Sequence, residues 1–390
     1  MDLSRIYLDN AATSWPKPES VYAAVDDFQR RVGASAGRGV YHEATEVGRL
    51  VFAARRAIAQ LLGVKEPKRI IFTHNGTDAL NLALYGLLLP NDHVITTVAE
   101  HNSVLRPLRH LEQSRSLNVT RLGVDAAGHV DLDHVRQALT KQTRLIVLTA
   151  ASNVTGTLQP INEVGQIAKV AGVRFLIDAT QAVGHVPFSV DECHADLVAM
   201  PGHKGLLGPL GTGVLYIAPG VEQELESIRQ GGTGSRSNDD LQPDELPDKY
   251  EAGNLNVPGI IGLKAGAEFL LFEGVAPIRE HELSLTRRLL DGLSVLSANK
   301  KLCIVGPSSA ESRVGVVSLT LSGYEPQEAA TLLDANYRIQ VRAGLHCAPL
   351  IHRALGTLST GGTLRISFGP FNTLEHVDQT INALTEIFDA

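Results

Sequence analysis

The chain has 390 residues, of which 44% are hydrophobic and 20% charged, with a formal net charge of −7. This is an ordinary globular composition with room for a large core in two lobes, which excludes a disordered or fibrous chain. An acidic balance without a basic block argues against nucleic acid as a partner, and apolar runs such as Leu82 to Pro90 are too short to cross a bilayer.

Three cysteines, Cys193, Cys303 and Cys347, are widely spaced. They are too few for a disulfide framework and lack the Cys-x-x-Cys spacing of a zinc site, so no metal is expected. Asp2, Arg5 and Asp9 make the first ten residues unlike a signal peptide. A reducing cytoplasm is the expected location.

The chain opens with a short extended piece, Ile6 to Thr13, punctuated by Pro16 and Pro18 before a helix from Glu19. Arg38-Gly39-Val40 reads as a glycine-rich loop. A helical pattern from Thr45 to Leu62 ends at Gly63, a suitable C-cap. Short β-branched runs then alternate with helical stretches. The runs are Ile70–Phe72, Val94–Thr97, Leu145–Leu148, Phe175–Ile177, Leu197–Met200 and Val214–Ile217. Such alternation predicts an α/β fold with a mainly parallel sheet, whose ligands sit at the carboxyl ends of the strands. Gln230 to Asp248 is polar, without periodicity, and reads as a long loop. After Pro258 a helix leads into a second lobe containing Val316–Thr320, Ile339–Arg342 and Leu364–Ser367 as strands.

Polar residues cluster where these runs end. Asn75-Gly76-Thr77-Asp78 offers backbone N–H groups and a hydroxyl at a helix N-terminus, either an anion cup or plain capping. Glu100-His101-Asn102-Ser103 brings a histidine able to stack on an aromatic ligand or move protons. Ser152-Asn153-Val154-Thr155-Gly156 brings an amide. Asp178 ends a buried run, with Gln181 three residues on; a buried carboxylate needs a cation or strong donors. The stretch Asp196 to Gly213 carries His203 and Lys204 in a glycine-rich turn. Desolvation there would lower the amine's pKa and make it nucleophilic toward carbonyls.

Taken together, this series resembles the fold-type I pyridoxal-phosphate enzymes of the class V aminotransferase group. The closer resemblance is to group II cysteine desulfurases and selenocysteine lyases. It runs from Tyr7-Leu8-Asp9-Asn10-Ala11-Ala12 through Glu251-Ala252-Gly253 to Arg342-Ala343-Gly344-Leu345-His346-Cys347-Ala348. The resemblance implies a seven-stranded sheet in a large domain, 15–257. It also implies a smaller α+β domain built from 1–14 and 258–390. Lys204 resembles the lysine that carries pyridoxal 5'-phosphate, Asp178 the partner of its ring nitrogen, Gln181 the donor to its phenolic oxygen, and His101 the stacking histidine. Gly76, Thr77 and His203 resemble the phosphate contacts, and Asn254 stands where a neighbouring subunit's phosphate ligand is expected. Asn153 and Arg365 resemble the clamp on a substrate carboxylate, with Arg342 assisting. A planar guanidinium suits that task. Cys347 resembles the nucleophile that takes up sulfur, with Arg342 and His346 as the positive neighbours expected to favour its thiolate. Cys193 and Cys303, outside any motif, are expected to be structural.

Three positions depart from the family pattern. Pro201 stands where a phosphate-binding Ser or Thr is common, Asn254 where Thr is common, and Leu345 where His is common. The resemblance implies a homodimeric cysteine desulfurase acting on L-cysteine, with a sulfur-acceptor protein as a further partner. Its alternatives are a selenocysteine lyase, a cystine or cysteine C–S lyase, an epimerase, a true aminotransferase, or an inactive cofactor-binding scaffold.

Overall fold

A computed structural model describes residues 5–36, 39–236 and 238–389. Asp2 and Arg38, both named above, lie outside them. Among the described residues the strands, in chain order, are β1 (Ile6–Tyr7), β2 (Ile70–Thr73), β3 (His93–Thr97), β4 (Asn118–Leu122), β5 (Thr143–Thr149), β6 (Arg174–Asp178), β7 (Leu197–Pro201), β8 (Gly213–Ile217), β9 (Leu302–Val305), β10 (Val316–Leu321), β11 (Ile339–Gln340), β12 (Arg342–Gly344) and β13 (Thr363–Ser367). The α-helices are α1 (Glu19–Arg31), α2 (His42–Leu62), α3 (Gly76–Leu87), α4 (Asn102–Ser114), α5 (Leu132–Ala138), α6 (Ile161–Ala171), α7 (Val257–Glu273), α8 (Val275–Gly292), α9 (Ser294–Ala298), α10 (Pro326–Tyr337), α11 (Pro349–Ala354) and α12 (Leu374–Asp389).

Seven strands form one sheet in the order β2-β8-β7-β6-β5-β3-β4. Only β8 runs against its neighbours, β2 and β7; the other pairings are parallel. Side chains alternate across a strand, so both faces of this sheet are cores. Ile70, Phe72, Ile146, Phe175 and Val198 pack with helices α2, α6 and α7. Ile71, Val94, Leu145, Leu176 and Leu197 pack with α3 and α4 on the other face. Six of these strands match apolar runs legible in the sequence. The seventh, β4, reads Asn-Val-Thr-Arg-Leu and is half-exposed. It is an edge strand, where only one neighbour is needed and charge is tolerated, so no apolar run announces it.

Helix α2 begins at His42, three residues before the predicted start, and ends at Gly63 with φ 72°. Left-handed backbone there costs glycine nothing. Helix α7 starts at Val257, capped by the Asn256 side chain accepting from the Gly259 N–H. Residues 230–248 form no regular element among the described residues.

The second sheet, β12-β13-β10-β9, is antiparallel throughout. Its apolar face packs with α8, α10 and α12 around Leu289, Leu333, Leu384 and Ile366. The single strand expected over Ile339–Arg342 is two: β11 pairs with β1, and β12 pairs with β13. No helix among the described residues is long and apolar enough to cross a membrane.

Candidate active site

A cavity of about 210 Å³ opens where β2, β3, β5, β6 and β7 end. Its wall includes Gly76, Thr77, His101, Asn153, Asp178, Gln181, His203 and Lys204. Parallel strands deliver these residues side by side, although up to 128 positions separate them in the chain.

One end of the cavity is an anion cup. Asn75 caps α3, its side chain accepting from the Asp78 N–H at 2.8 Å, so capping and cup formation are both served by this turn. A Cβ on Gly76 would lie 3.1 Å from the Pro201 Cδ and 3.2 Å from its backbone nitrogen, so a side chain there would crowd the wall. Pro201, the first departure from the family pattern, thus closes the floor beneath Gly76 instead of donating a hydroxyl. The His203 Nδ1 is buried without a hydrogen-bond partner. Burial and the neighbouring Lys204 and Lys17 push this imidazole down to about 4.

The His101 Nδ1 accepts from the Ser103 N–H at 3.1 Å. That fixes its proton on Nε2. Burial, then Lys204, Arg342, Arg106 and Arg365, push it down to about 4. Asp178 is buried and accepts from the Thr180 N–H at 3.0 Å. Desolvation raises its carboxyl, and among the described residues no cation pairs with it. Gln181 donates one amide hydrogen to the Ala11 carbonyl at 2.9 Å, leaving the other free. Lys204 has neither a hydrogen bond nor an ion pair at Nζ among the described residues. Desolvation and the nearby Arg365 push its amine down to about 8.

The other candidates stand outside the cavity wall. Arg365 is fully buried, donating to the Asp9 Oδ1 at 2.6 Å and to the Asn153 carbonyl at 3.1 Å, with its Nε unpartnered. Cys347 is exposed. His346 and Cys347 both have left-handed backbone, φ 49° and 58°. Such geometry is costly in non-glycine residues and is held here by hydrogen bonds. The Asn102 N–H donates to the Cys347 carbonyl at 2.7 Å, and the Asn153 Nδ2 donates to the His346 carbonyl at 2.7 Å. Arg342 Nη2 lies 3.8 Å from the Cys347 sulfur.

His346 is not the positive neighbour the sequence predicted. It is buried, its Nε2 donates to the Thr363 carbonyl at 3.1 Å, and burial pushes it down to about 2. Arg342 alone of the two brings charge to the thiol. Of the other two cysteines, Cys193 is buried and Cys303 is exposed on β9. Asn254 is exposed and does not line the cavity of its own chain. Leu345 is half-buried.

Three residues without a role in the sequence reading belong to this neighbourhood. Asp9 pairs with Arg365 across 356 positions. Ser103 touches both His101 and Thr77. Glu100 is buried, accepting from the Thr97 hydroxyl at 2.7 Å and the Thr149 N–H at 3.1 Å; burial pushes its carboxyl up to about 8. Its place directly before His101 was the one available signal. Among the described residues no cluster of three or more His, Cys, Asp or Glu could hold a metal ion.

A free lysine amine, a buried carboxylate without a paired cation and an anion cup with an unpartnered imidazole are groups that a pyridoxal-phosphate site would use. The residues fit that cofactor: Lys204 for its aldehyde, Asp178 for its ring nitrogen, and Gly76, Thr77 and His203 for its phosphate. The family model for Aminotransferase class-V matches residues 6–380. A probable cysteine desulfurase from Methanothermobacter thermautotrophicus is 34% identical over 98% of this chain and 94% of its own length. Two solved structures are similar throughout. The apo cysteine desulfurase of Thermococcus onnurineus has a TM-score of 0.92 at 33% identity, covering 99% of this chain and 95% of that one. A cysteine desulfurase of Escherichia coli has a TM-score of 0.87 at 30% identity, covering 100% and 96%. The chain belongs to the class V aminotransferase family, with the fold-type I architecture of its pyridoxal-phosphate enzymes.

Proposed function

We propose that this chain is a cysteine desulfurase, which converts L-cysteine to L-alanine and takes the sulfur onto Cys347 as a persulfide. The observation that carries the reading is the seat of the Cys347 loop. It is bonded to Asn102 and Asn153, residues of the cavity's own strand-end loops, while the thiol itself stays exposed beside Arg342. When bound, pyridoxal phosphate supplies an electron sink that weakens bonds at the substrate's α-carbon.

The chain's own groups do the rest. Lys204 would hold the cofactor and, once freed, move the α-proton at Nζ; its lowered pKa suits that exchange near neutrality. His101 is the proposed stacking imidazole, neutral and protonated on Nε2 while the cup is empty. Asp178 would carry its negative charge against a protonated ring nitrogen, whose cation would offset the cost of burial. Arg365 and Asn153 are the proposed carboxylate clamp. The Cys347 thiolate attacks the substrate sulfur: a sulfur–sulfur bond forms, the substrate's carbon–sulfur bond breaks, and its electron pair returns to the Cβ, which takes up a proton. Cysteine and one enzyme thiol thus become alanine and one enzyme persulfide, with no external oxidant.

The division into 15–257 and 1–14 with 258–390 is part of this reading, supported by the two separate sheets and by β1 pairing with β11. So is a homodimer, with Asn254 reaching the partner's phosphate; exposed Val40, Tyr41 and Leu210 are apolar groups a second copy would cover. A cytoplasmic location and a sulfur-acceptor protein complete it. The test is purified protein with L-cysteine, L-cystine, L-selenocysteine and cysteine sulfinate, following alanine and pyruvate. Alanine from L-cysteine supports the reading, and pyruvate as the main product would replace it with a C–S lyase.

A further inference from the structure

Ser103 has no part in the reaction outlined above, yet both its polar groups meet His101. Its N–H donates to Nδ1 at 3.1 Å, and its hydroxyl stands 2.8 Å from the same nitrogen. That hydroxyl is also 2.7 Å from the Thr77 Oγ1. All three side chains line the cavity, and Ser103 is buried. Thr77 Oγ1, Ser103 Oγ and His101 Nδ1 therefore stand in a row with two contacts between them.

Each contact needs a proton, and each hydroxyl brings one. With no anion in the cup the count closes: Thr77 donates to Ser103, and Ser103 donates to a bare Nδ1. A phosphate group changes the count, because its ionised oxygens only accept. Thr77 turns its proton to the anion, and one hydroxyl proton is left for two contacts. A proton on Nδ1 itself restores the row, running from His101 to Ser103 to Thr77 to the anion, in exchange for the Ser103 N–H bond to that nitrogen.

We propose that Ser103 is a positioning residue that couples the protonation of His101 to occupancy of the anion cup. A filled cup favours a proton on Nδ1, and an empty cup favours bare Nδ1. A neutral imidazole meets this by moving its proton from Nε2 to Nδ1, and an imidazolium by holding both. This rests on reading the cup as the cofactor's phosphate site.

The charged groups facing His101 are Lys204 after β7, Arg342 of β12, Arg365 of β13 and Arg106 on its own helix. An anion offsets all four by charge alone, in any variant, so the test must separate charge from relay. Ser103→Ala removes the hydroxyl and keeps the N–H. Thr77→Val cuts the far end of the row.

Side-chain nitrogen NMR of the apoprotein, with saturating inorganic phosphate and then with pyridoxal phosphate, reads Nδ1 directly. His101 is assigned by its loss in His101→Gln, and the Gly76 amide reports filling of the cup. On filling, the ratio of protonated to bare Nδ1 should rise in the wild type about fivefold more than in Ser103→Ala or Thr77→Val, the equivalent of one hydrogen bond. An equal rise in Ser103→Ala, or Nδ1 already protonated in the apoprotein, would overturn the relay while leaving the cup intact. A Gly76 amide unmoved by both ligands would overturn the cup, and the proposal with it.

Discussion

The cavity wall and the Cys347 loop are built by opposite means. The wall stands on strand ends buried on both faces, and its side chains are fixed by caps and by the sheet itself. The loop is two left-handed residues, 346 and 347, held to the wall by two main-chain carbonyls. Rigid supports suit groups that must stay aligned with developing charge. A short loop that leaves its thiol exposed suits the proposed nucleophile, which must reach the substrate's sulfur. Substitutions in the wall should therefore remove chemistry outright, whereas those within the loop should alter timing.

The largest effect is expected at Lys204. Lys204→Ala should lose about a thousandfold or more in kcat. Borohydride reduction of the wild type should leave a pyridoxyl group on the Lys204 peptide, read by mass mapping. A label on another lysine would break the wall side of the comparison.

Arg365 comes next. Losing a buried charge-assisted contact costs on the order of 3 kcal/mol. Arg365→Ala should therefore lose roughly a hundredfold in kcat/KM while keeping the cofactor spectrum. Asp9→Asn would leave the buried guanidinium without its countercharge, which should cost about 3 kcal/mol of stability by denaturant titration. Near-normal kcat/KM in Arg365→Ala would move the carboxylate clamp elsewhere.

Glu100 sharpens the comparison through pH. Its folded-state pKa is raised to about 8 from an ordinary 4.5. The folded chain thus holds a proton that the unfolded chain has already released, so its contribution is full below about 4.5 and is lost as pH rises through about 8. Glu100→Gln cannot titrate. Thermal midpoints of the two proteins should be similar near pH 4.5, with the variant gaining over the wild type toward pH 8. A constant difference across that range would contradict the buried, protonated assignment.

The smallest effect concerns how the loop is held, read at an amide and not by activity because Asn153 also lines the wall. Asn153→Ala removes one hydrogen bond from the loop, worth about 1 kcal/mol. Hydrogen exchange at the Asn102 amide, which is bonded to the Cys347 carbonyl, should quicken roughly fivefold. No change would mean that the loop is held by packing instead.

These regions also differed in how well they could be read from the chain. The wall was legible because strand-end chemistry is local: Gly76, Asp178 and Lys204 each follow or end an apolar run that places them. The loop's residues were legible by motif, but their states were not. The charge of His346 depends on burial against Thr363, which no spacing reveals. The Asp9–Arg365 pair joins the two ends of the chain, and β4 hides behind the tolerance of an edge strand. The split of Ile339–Arg342 into two strands likewise follows from which partners flank it, not from the residues themselves.

The central claim is that Cys347 takes sulfur from the substrate, and one measurement addresses it most directly. Cofactor-loaded wild-type protein is given L-cysteine without reductant, then digested and mass-mapped beside Cys347→Ala. The account predicts one extra sulfur atom on the Cys347 peptide, one alanine formed per persulfide in the first turnover, and almost no alanine from the variant despite an unchanged cofactor spectrum. An unmodified Cys347 peptide, with Cys347→Ala turning over L-cysteine at the wild-type rate, would contradict it.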